Sequence, residues 1–318
     1  LHLCDRRQRQ MCIRDSLMGS AGGVRCDITI PMQWISKSGD NVTIRVTGLT
    51  GGHSGDKIGT GRPSANSLMG WVLNEILQEC TGSIVYIKGG SVDNAIANEC
   101  EAELITDEYD KIAKLCNSVE KDLRQEYFGI DENISVFVGL NGKADKKVLD
   151  TDSQKRAITA LCLAPQGVIA RSGDDKEMVN TSLNLGIVKL TDDLKMGYSV
   201  RSVYESAKNG LTKKLRLLAL MLGGTAVCSG NYPAWQYEPE SRVRELAGNV
   251  YRKLTGKEPV FKTIHAGLEC GLFYNRMNKP DIVSYGPDIY DIHTFEERMD
   301  MVSAKRVYEL TVELLKNM

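Results

Sequence analysis

The chain has 318 residues, of which 42% are hydrophobic, so it is long enough for two domains with ordinary cores. Forty Lys and Arg offset forty-one Asp and Glu, giving a net charge of -1 with the signs interspersed, which argues against a phosphate-binding face and against nucleic acid as a partner. The most apolar segment, residues 217–228, is shorter than the roughly 20 residues that a membrane-spanning helix needs, which argues against a membrane partner.

The first sixteen residues, LHLCDRRQRQMCIRDS, contain four arginines but no apolar core of a secretory signal and no amphipathic period of a transit peptide. They resemble translated adapter sequence, so we expect residues 1–16 to be a non-native leader. The nine cysteines along the chain are scattered without a CxxC pair. This is not the pattern of a secreted disulfide framework, and it favours a reducing, cytoplasmic environment.

The first predicted elements follow hydrophobic periodicity. A strand is predicted over 41–49, where Val42, Ile44 and Val46 alternate with polar residues, and a helix over 63–80 follows a glycine-rich loop. Further elements are strands at 83–88 and 97–105, a helix at 107–127 and a strand at 134–140. The order β-α-β-β-α-β is that of the ferredoxin-like fold, an antiparallel sheet with two helices on one face.

The rest of the chain contains most of a second such unit and then a change of pattern. The second unit comprises a helix at 152–163, strands at 181–190 and 196–204, a helix at 207–222 and a strand at 225–229. The stretch 231–239, rich in proline and aromatic residues, indicates a crossing between domains. Beyond it we predict a helix at 240–254, a strand at 259–264, a helix at 267–274, a strand at 281–285 and a helix from 302. This alternation predicts part of a parallel α/β sheet, so the fold class is α/β with an α+β domain.

Two histidines stand in loops that follow predicted strands. His53 lies in GGHSGDKIGTG, either as a catalytic group on a short, anchored connection or as an incidental turn residue. His293 follows the predicted strand at 281–285, and ligands gather at the carboxyl ends of such strands. Its imidazole suits zinc, with Asp291 or Glu296 orienting it, but a hydrogen-bonded loop residue is the alternative.

The stretch IHAGLECG, residues 264–271, has three interpretations. Glu269 is placed to meet a cationic group of a substrate. A Cys270 nucleophile paired with His265 is the second interpretation, although no third group orients the pair. The third is an ordinary helix start with a buried thiol.

Asn184 and Arg201 lie on adjacent predicted strands. Arginine grips a carboxylate with two parallel hydrogen bonds, which makes Arg201 a candidate for binding an anionic substrate group. The alternative is an outward-facing strand charge with no binding role.

Together these stretches resemble a known family. GSAGGVRCDITIP, GLTGGHSGDKIGTGRPSAN, VNTSLNLGIV, IHAGLECGLF and the SYGPDIYDIH region occur in the same order in the aminoacyl-histidine dipeptidases (Xaa-His dipeptidases), a branch of the co-catalytic zinc exopeptidases. The resemblance runs from about residue 17 to the end. It implies a ferredoxin-like lid and dimerisation domain inserted in a zinc-peptidase α/β domain, with 17–32 ending the first catalytic segment, 33–222 forming the lid and 223–318 continuing the catalytic domain.

The resemblance also implies a reaction and roles for single residues. Dipeptides of the Xaa-His type would be hydrolysed by water activated on two zinc ions, with His293 as a metal ligand. His53 would stabilise the tetrahedral oxyanion and Arg201 would hold the C-terminal carboxylate of the substrate. Asn184 and Glu269 would contact the substrate. The implied partners are a small peptide and a second copy of the chain, bound through the lid.

The family's His-x-Asp ligand motif, bridging aspartate and Glu-Glu pair with the general base all precede the region that is recognisable here. We therefore expect the chain to be the C-terminal part of such a dipeptidase and to be inactive alone. The alternative is a non-catalytic dimerisation or small-molecule-binding module, because ferredoxin-like units also serve in that way.

Overall fold

The computed structural model describes residues 15–173, 176–290 and 296–318. Its strands are β1 (Asp15–Ser20), β2 (Gly22–Pro31), β3 (Trp34–Thr47), β4 (Gly52–His53), β5 (Ser83–Gly89), β6 (Ala95–Ile96), β7 (Cys100–Thr106), β8 (Ser135–Leu149), β9 (Gly167–Arg171), β10 (Val179–Leu190), β11 (Asp193–Ser202), β12 (Thr225–Tyr232), β13 (Val260–Ile264), β14 (Ile289–Tyr290) and β15 (Arg298–Met299). Its α-helices are α1 (Ser54–Lys57), α2 (Ala65–Glu79), α3 (Tyr109–Glu126), α4 (Thr151–Leu163), α5 (Glu205–Met221), α6 (Arg242–Thr255), α7 (Glu269–Arg276) and α8 (Met301–Asn317). None of the described helices is long and apolar enough to cross a membrane.

The described chain forms two compact units. The inserted unit comprises Gly23–Asn231, and the flanking unit comprises the described residues up to Gly22 together with Tyr232–Met318. The predicted lid, 33–222, lies wholly within the inserted unit. That unit extends further at both ends because β2 and β12 belong to its sheet.

The inserted unit is built on a nine-stranded sheet with the order β12-β2-β11-β10-β5-β7-β3-β8, with β9 paired to β10. The predicted ferredoxin-like unit is confirmed as β3-α2-β5-β7-α3-β8, and its four strands pair antiparallel in the spatial order β5-β7-β3-β8. The second unit is complete as well, since β2, α4, β10, β11, α5 and β12 give the spatial order β10-β11-β2-β12. Two arrangements of the same order therefore lie side by side.

The strand that the sequence analysis lacked in the second arrangement is β2. It precedes the whole first arrangement in the chain, and the sequence analysis assigned 17–32 to another domain. The first ferredoxin-like arrangement is therefore inserted between the first strand and the first helix of the second. A short antiparallel pairing of β5 with β10, from Gly89↔Val188 to Ile87↔Leu190, joins the two into one sheet.

Only the parts of the strands in which apolar and polar side chains alternate were predicted. Val42, Ile44 and Val46 of β3 are fully buried in the core that the helices cover. However, β3 begins at Trp34 and β8 continues to Leu149, because these extra halves pair with each other. Their residues are mostly polar and partly or fully exposed, so they carry no apolar alternation to reveal them.

The flanking unit contains a parallel pair, β1 with β13, as the α/β pattern predicts. Helices α6 and α8 pack through a cluster of Ala247, Val250, Tyr251, Leu310 and Leu314. The first two residues of β1, Asp15 and Ser16, belong to the predicted leader. The predicted strand at 281–285 is wrong, since only an isolated bridge joins Ser284 to Leu17. Pro280 and Pro287 flank this run and lack the N–H groups that would extend a ladder.

A disulfide joins Cys26 of β2 to Cys228 of β12, with 4.2 Å between the Cα atoms. These are the first and last strands of the second ferredoxin-like arrangement, and they neighbour each other at one edge of the sheet. The bond therefore closes a loop over a sequence separation of 202 residues. The scattered cysteine pattern indicated no disulfide framework, and the sequence analysis did not predict this bond.

We expect loss of the Cys26–Cys228 bond to lower the free energy of unfolding by about 2–5 kcal/mol, since the reduced unfolded chain gains conformational entropy. Thermal unfolding of the oxidised protein, the reduced protein and a Cys26→Ser/Cys228→Ser variant measures this. Cys162→Ser, at an exposed cysteine outside the disulfide, is the control and should unfold like the wild type. Identical unfolding of the oxidised and reduced proteins would contradict the stabilising role.

Candidate functional site

His53 lies in a tightly shaped loop between β3 and α2. It is the second residue of β4, which pairs antiparallel with β6 so that His53 stands opposite Ala95. Gly51 and Gly52 have φ values of +59° and +120°, in the region that favours glycine. A Cβ at Gly51 would also lie 2.9 Å from the Ile96 carbonyl oxygen. The glycine run therefore sets the path of the loop, and the His53 side chain is partly exposed.

The loop before His53 is held on both sides. Asp131 Oδ1 accepts hydrogen bonds from the Thr50 N–H, at 2.9 Å, and from the Thr50 hydroxyl. The Arg62 guanidinium donates to the Gly51 carbonyl oxygen at 2.6 Å. His53 therefore stands on an anchored connection, as the sequence analysis expected, while its catalytic role stays a prediction.

Adjacent strands β10 and β11 present a buried polar face. Arg201 stands opposite Ser182 in the ladder, and Ser199 stands opposite Asn184. Directly opposed residues share a face, and so do residues two apart along a strand, so all four side chains lie on one face. Arg201 is only 7% exposed and Asn184 only 1% exposed. Arg201 is therefore not an outward-facing strand charge.

The Asn184 amide connects this face to the His53 loop. Its Nδ2 donates to the Asp93 carbonyl oxygen at 2.8 Å and to the Ala95 carbonyl oxygen at 2.7 Å. Its Oδ1 accepts from Gln166 Nε2 at 3.1 Å. Both amide protons are thus used within the protein. Since Ala95 is the residue that pairs with His53, the structure brings Asn184 and His53 together through one turn.

That turn packs directly against the backbone of β10. A Cβ at Gly186 would lie 2.5 Å from the Val92 carbonyl oxygen and 2.6 Å from the Asp93 Cα. Only a glycine at 186 leaves room for the turn at this place. The Asn94 carbonyl oxygen then accepts a hydrogen bond from the Ser54 N–H at 2.8 Å, which continues the contact to the residue after His53.

The IHAGLECG stretch lies in the flanking unit. Glu269 is the first residue of α7 and is exposed. Burial raises the pKa of the Cys270 thiol, although a hydrogen bond with Ser284 acts in the opposite direction. Since the thiolate is the nucleophilic form, the raised pKa weighs against a Cys270 nucleophile paired with His265.

The predicted metal ligand cannot be placed. His293 and its neighbour Asp291 lie outside the described residues. Within residues 15–173, 176–290 and 296–318, no group of three or more His, Cys, Asp or Glu side chains could hold a metal ion. Glu296, the other predicted neighbour, is exposed.

Three residues of this region were missed by the sequence analysis. Asp131 lies 81 positions from Thr50 and Gln166 lies 18 positions from Asn184, and no periodic pattern links either pair. Gly186 did carry a signal, because an isolated glycine within a strand pattern indicates a close approach of another backbone.

Comparison with known proteins adds sequence and structural relatives. No known protein-family profile matches the chain. It is 32% identical over 304 residues to the cytosol non-specific dipeptidase of Escherichia coli (strain K12), covering 94% of this chain and 62% of the relative. It is similar to the crystal structure of an aminoacylhistidine dipeptidase from Vibrio alginolyticus with a TM-score of 0.90 and 30% identity, covering 97% of this chain and 64% of that chain.

The chain therefore spans slightly less than two thirds of the length of these relatives. The structural match extends over nearly all of this chain, so the predicted mixed α/β fold and the predicted similarity to dipeptidases of this type are confirmed.

We expect Gly186→Ala to destabilise the protein by roughly 1–3 kcal/mol, because the new methyl group would meet backbone atoms that cannot move independently of the turn. Equilibrium unfolding in urea measures the change. The matched control is Gly210→Ala in α5, where an added Cβ meets nothing within 4 Å and should stabilise the helix by roughly 0.5–1 kcal/mol. Equal stability of Gly186→Ala and the wild type would show that the turn is not packed as described.

Proposed function

We propose that the chain belongs to the family of the aminoacylhistidine dipeptidases, to which it is similar over nearly its whole length, and that it serves the hydrolysis of dipeptides with a C-terminal histidine. The observation that carries the proposal is the buried arginine on the polar face of β10 and β11, in the same unit as an anchored histidine loop. The arginine suits the carboxylate of the substrate. The histidine suits the oxygen of the peptide carbonyl, which becomes negatively charged during attack.

In this proposal Arg201 binds the carboxylate of the dipeptide. A guanidinium matches a carboxylate with two parallel hydrogen bonds, and the attraction is stronger where few water molecules screen it. Arg201 is almost wholly buried, and Ser182 and Ser199 share its face. The surroundings therefore favour recognition of a fixed, planar anion over a mobile surface contact.

His53 donates a hydrogen bond to the carbonyl oxygen as negative charge develops there. Such donors are most effective when they are already held in position, because no reorganisation is then needed during the reaction. The hydrogen bonds from Thr50 and Arg62 around the loop supply that rigidity. Glu269 and Asn184 are the further candidates for substrate contact, with the exposed Glu269 carboxylate suited to a cationic amino group.

Two zinc ions, with His293 as one ligand, belong to the proposal on the ground of the family resemblance. Zinc would supply an activated water for attack on the peptide carbonyl. The described residues contain no cluster that fits a metal. The sequence also has no His-x-Asp pattern, and we propose that the 318-residue chain alone shows no turnover. A second copy bound through the inserted unit and a cytoplasmic location complete the proposal.

The carboxylate role of Arg201 predicts a binding preference. We expect an Xaa-His dipeptide with a free carboxylate to bind at least about tenfold more tightly to the wild type than to Arg201→Lys, since lysine cannot form the bidentate pair. Isothermal titration calorimetry with alanyl-histidine and its C-terminal amide measures this. Arg45→Lys, at an exposed ion-paired arginine of β3, should leave the affinity unchanged. Equal affinity for the acid and the amide would rule out the assigned role.

Turnover is assayed separately. The purified chain is mixed with zinc and β-alanyl-histidine, and released histidine is measured against a blank. We expect no release above the blank. Histidine release by the chain would disprove inactivity, and its loss in His53→Gln would then support the role of His53.

A further inference from the structure

One edge of β10 is paired by two short strands with a gap between them. The strand β9 pairs with residues 179–183 of β10, and β5 pairs with residues 188–190. Within the gap, the Leu185 N–H donates to Gln166 Oε1 at 2.5 Å, and its carbonyl oxygen accepts from Asn66 Nδ2 at 3.0 Å. Two side-chain amides thus take the place of a neighbouring strand.

The second hydrogen bond of Gln166 sets the orientation of another amide. Gln166 Nε2 donates to Asn184 Oδ1 at 3.1 Å, which fixes the Asn184 oxygen on that side. The Asn184 Nδ2 must then point to the Asp93 and Ala95 carbonyl oxygens, to which it donates. In a flipped Asn184 amide the Oδ1 would face the two carbonyl oxygens of the turn, and the Nδ2 would face the Nε2 of Gln166. Gln166 therefore selects the one orientation in which Asn184 binds the turn.

The turn at 93–95, once Asn184 holds it, supports the backbone of the His53 loop. Ala95 pairs with His53 in the β4–β6 ladder. The neighbouring Asn94 accepts the Ser54 N–H at 2.8 Å. Gly52 and Ser54, the two neighbours of His53, are therefore both joined to the segment 94–96, Gly52 by its pairing with Ile96 and Ser54 by this hydrogen bond.

We infer that Gln166 is a positioning residue for His53, acting through the Asn184 amide and the turn at 93–95. Its importance for catalysis rests on the proposed function, whereas the placement of His53 does not. The two amide protons of Asn184 serve the turn and so act on His53, whereas the substrate contact proposed for Asn184 would fall to its Oδ1.

The chain offers a matched control in Gln154. Its Oε1 accepts from the Ile84 N–H at 2.9 Å and its Nε2 donates to the Gly82 carbonyl oxygen at 3.1 Å. Like Gln166, it uses one acceptor and one donor to bridge elements of the inserted unit, but it holds the start of β5 and not the turn at 93–95. Gln154→Ala removes the same number of hydrogen bonds as Gln166→Ala.

The test follows two signals by NMR: amide exchange of Ser54 and the imidazole Cε1–H resonance of His53, assigned with His53→Gln. In Gln166→Ala and in Asn184→Ala we expect roughly tenfold faster exchange and a shifted His53 resonance, because the first variant loses the hydrogen bond that orients the Asn184 amide and the second loses both hydrogen bonds to the turn. The double variant should show no larger effect than either single variant, since both act on one chain of contacts. Gln154→Ala should leave both signals unchanged.

Gln166→Glu provides a second, conservative variant. Its carboxylate still accepts from the Leu185 N–H but faces Asn184 Oδ1 with another acceptor, so the edge of β10 is kept while the Asn184 orientation is lost. We expect the same shifted His53 resonance. Signals in Gln166→Ala and Gln166→Glu that match Gln154→Ala, or fully additive effects in the double variant, would overturn the inference.

These readouts need no turnover, so the two proposals fail separately. If the signals respond as expected while alanyl-histidine does not bind, the proposed function fails and the positioning role stands. If the dipeptide binds through Arg201 while His53 is insensitive to Gln166, only the positioning role fails.

Discussion

The pairing of β5 with β10 determines where the His53 loop meets the face that carries Asn184 and Arg201. It is only three residues long, and it joins two ferredoxin-like arrangements into a single sheet. Because β5 ends at Gly89, the chain must leave the sheet there, and Gly90 turns with a φ of +66°. The segment that follows lies on β10 at Gly186, which has no side chain to block it. A loop of one arrangement is thus fixed to the strand face of the other.

This junction replaces regular backbone pairing with side-chain amides, which has an energetic cost. Asn66, Gln166 and Asn184 must all be oriented correctly, since a buried amide without partners is unfavourable by several kcal/mol in an apolar setting. A continuous strand would have satisfied the same backbone groups without specific side chains. The amides, however, leave space beside β10 for the turn that supports His53. A continuous strand would have occupied that space. Stability at the edge of β10 is therefore tied to the shape of the candidate site.

The sequence predicted elements wherever one face is apolar. The alternation in β3 and the helical spacing in α2 were sufficient, and the loop of His53 followed from the strand before it and the helix after it. The polar half of β8 was missed since it is stabilised by backbone pairing with β3 and buries few apolar side chains. Arg201 could be named as a candidate from its residue type and strand, but the sequence left open whether it is buried or faces outward, and the structure shows it only 7% exposed. Gln166 lies outside the elements that the sequence predicts, and its role exists only once β9 and β10 are paired.

The position of β2 shows why the second ferredoxin-like arrangement was incomplete in the sequence. An inserted domain is most easily accommodated when its two ends lie close together. Here the ends belong to β2 and β12, which are neighbours in the sheet and are linked by Cys26 and Cys228. The first strand of a fold can thus stand more than a hundred residues before its first helix, since β2 ends at Pro31 and α4 begins at Thr151. An assignment made in chain order places such a strand in the preceding domain. Only the sheet shows that β2 lies between β11 and β12.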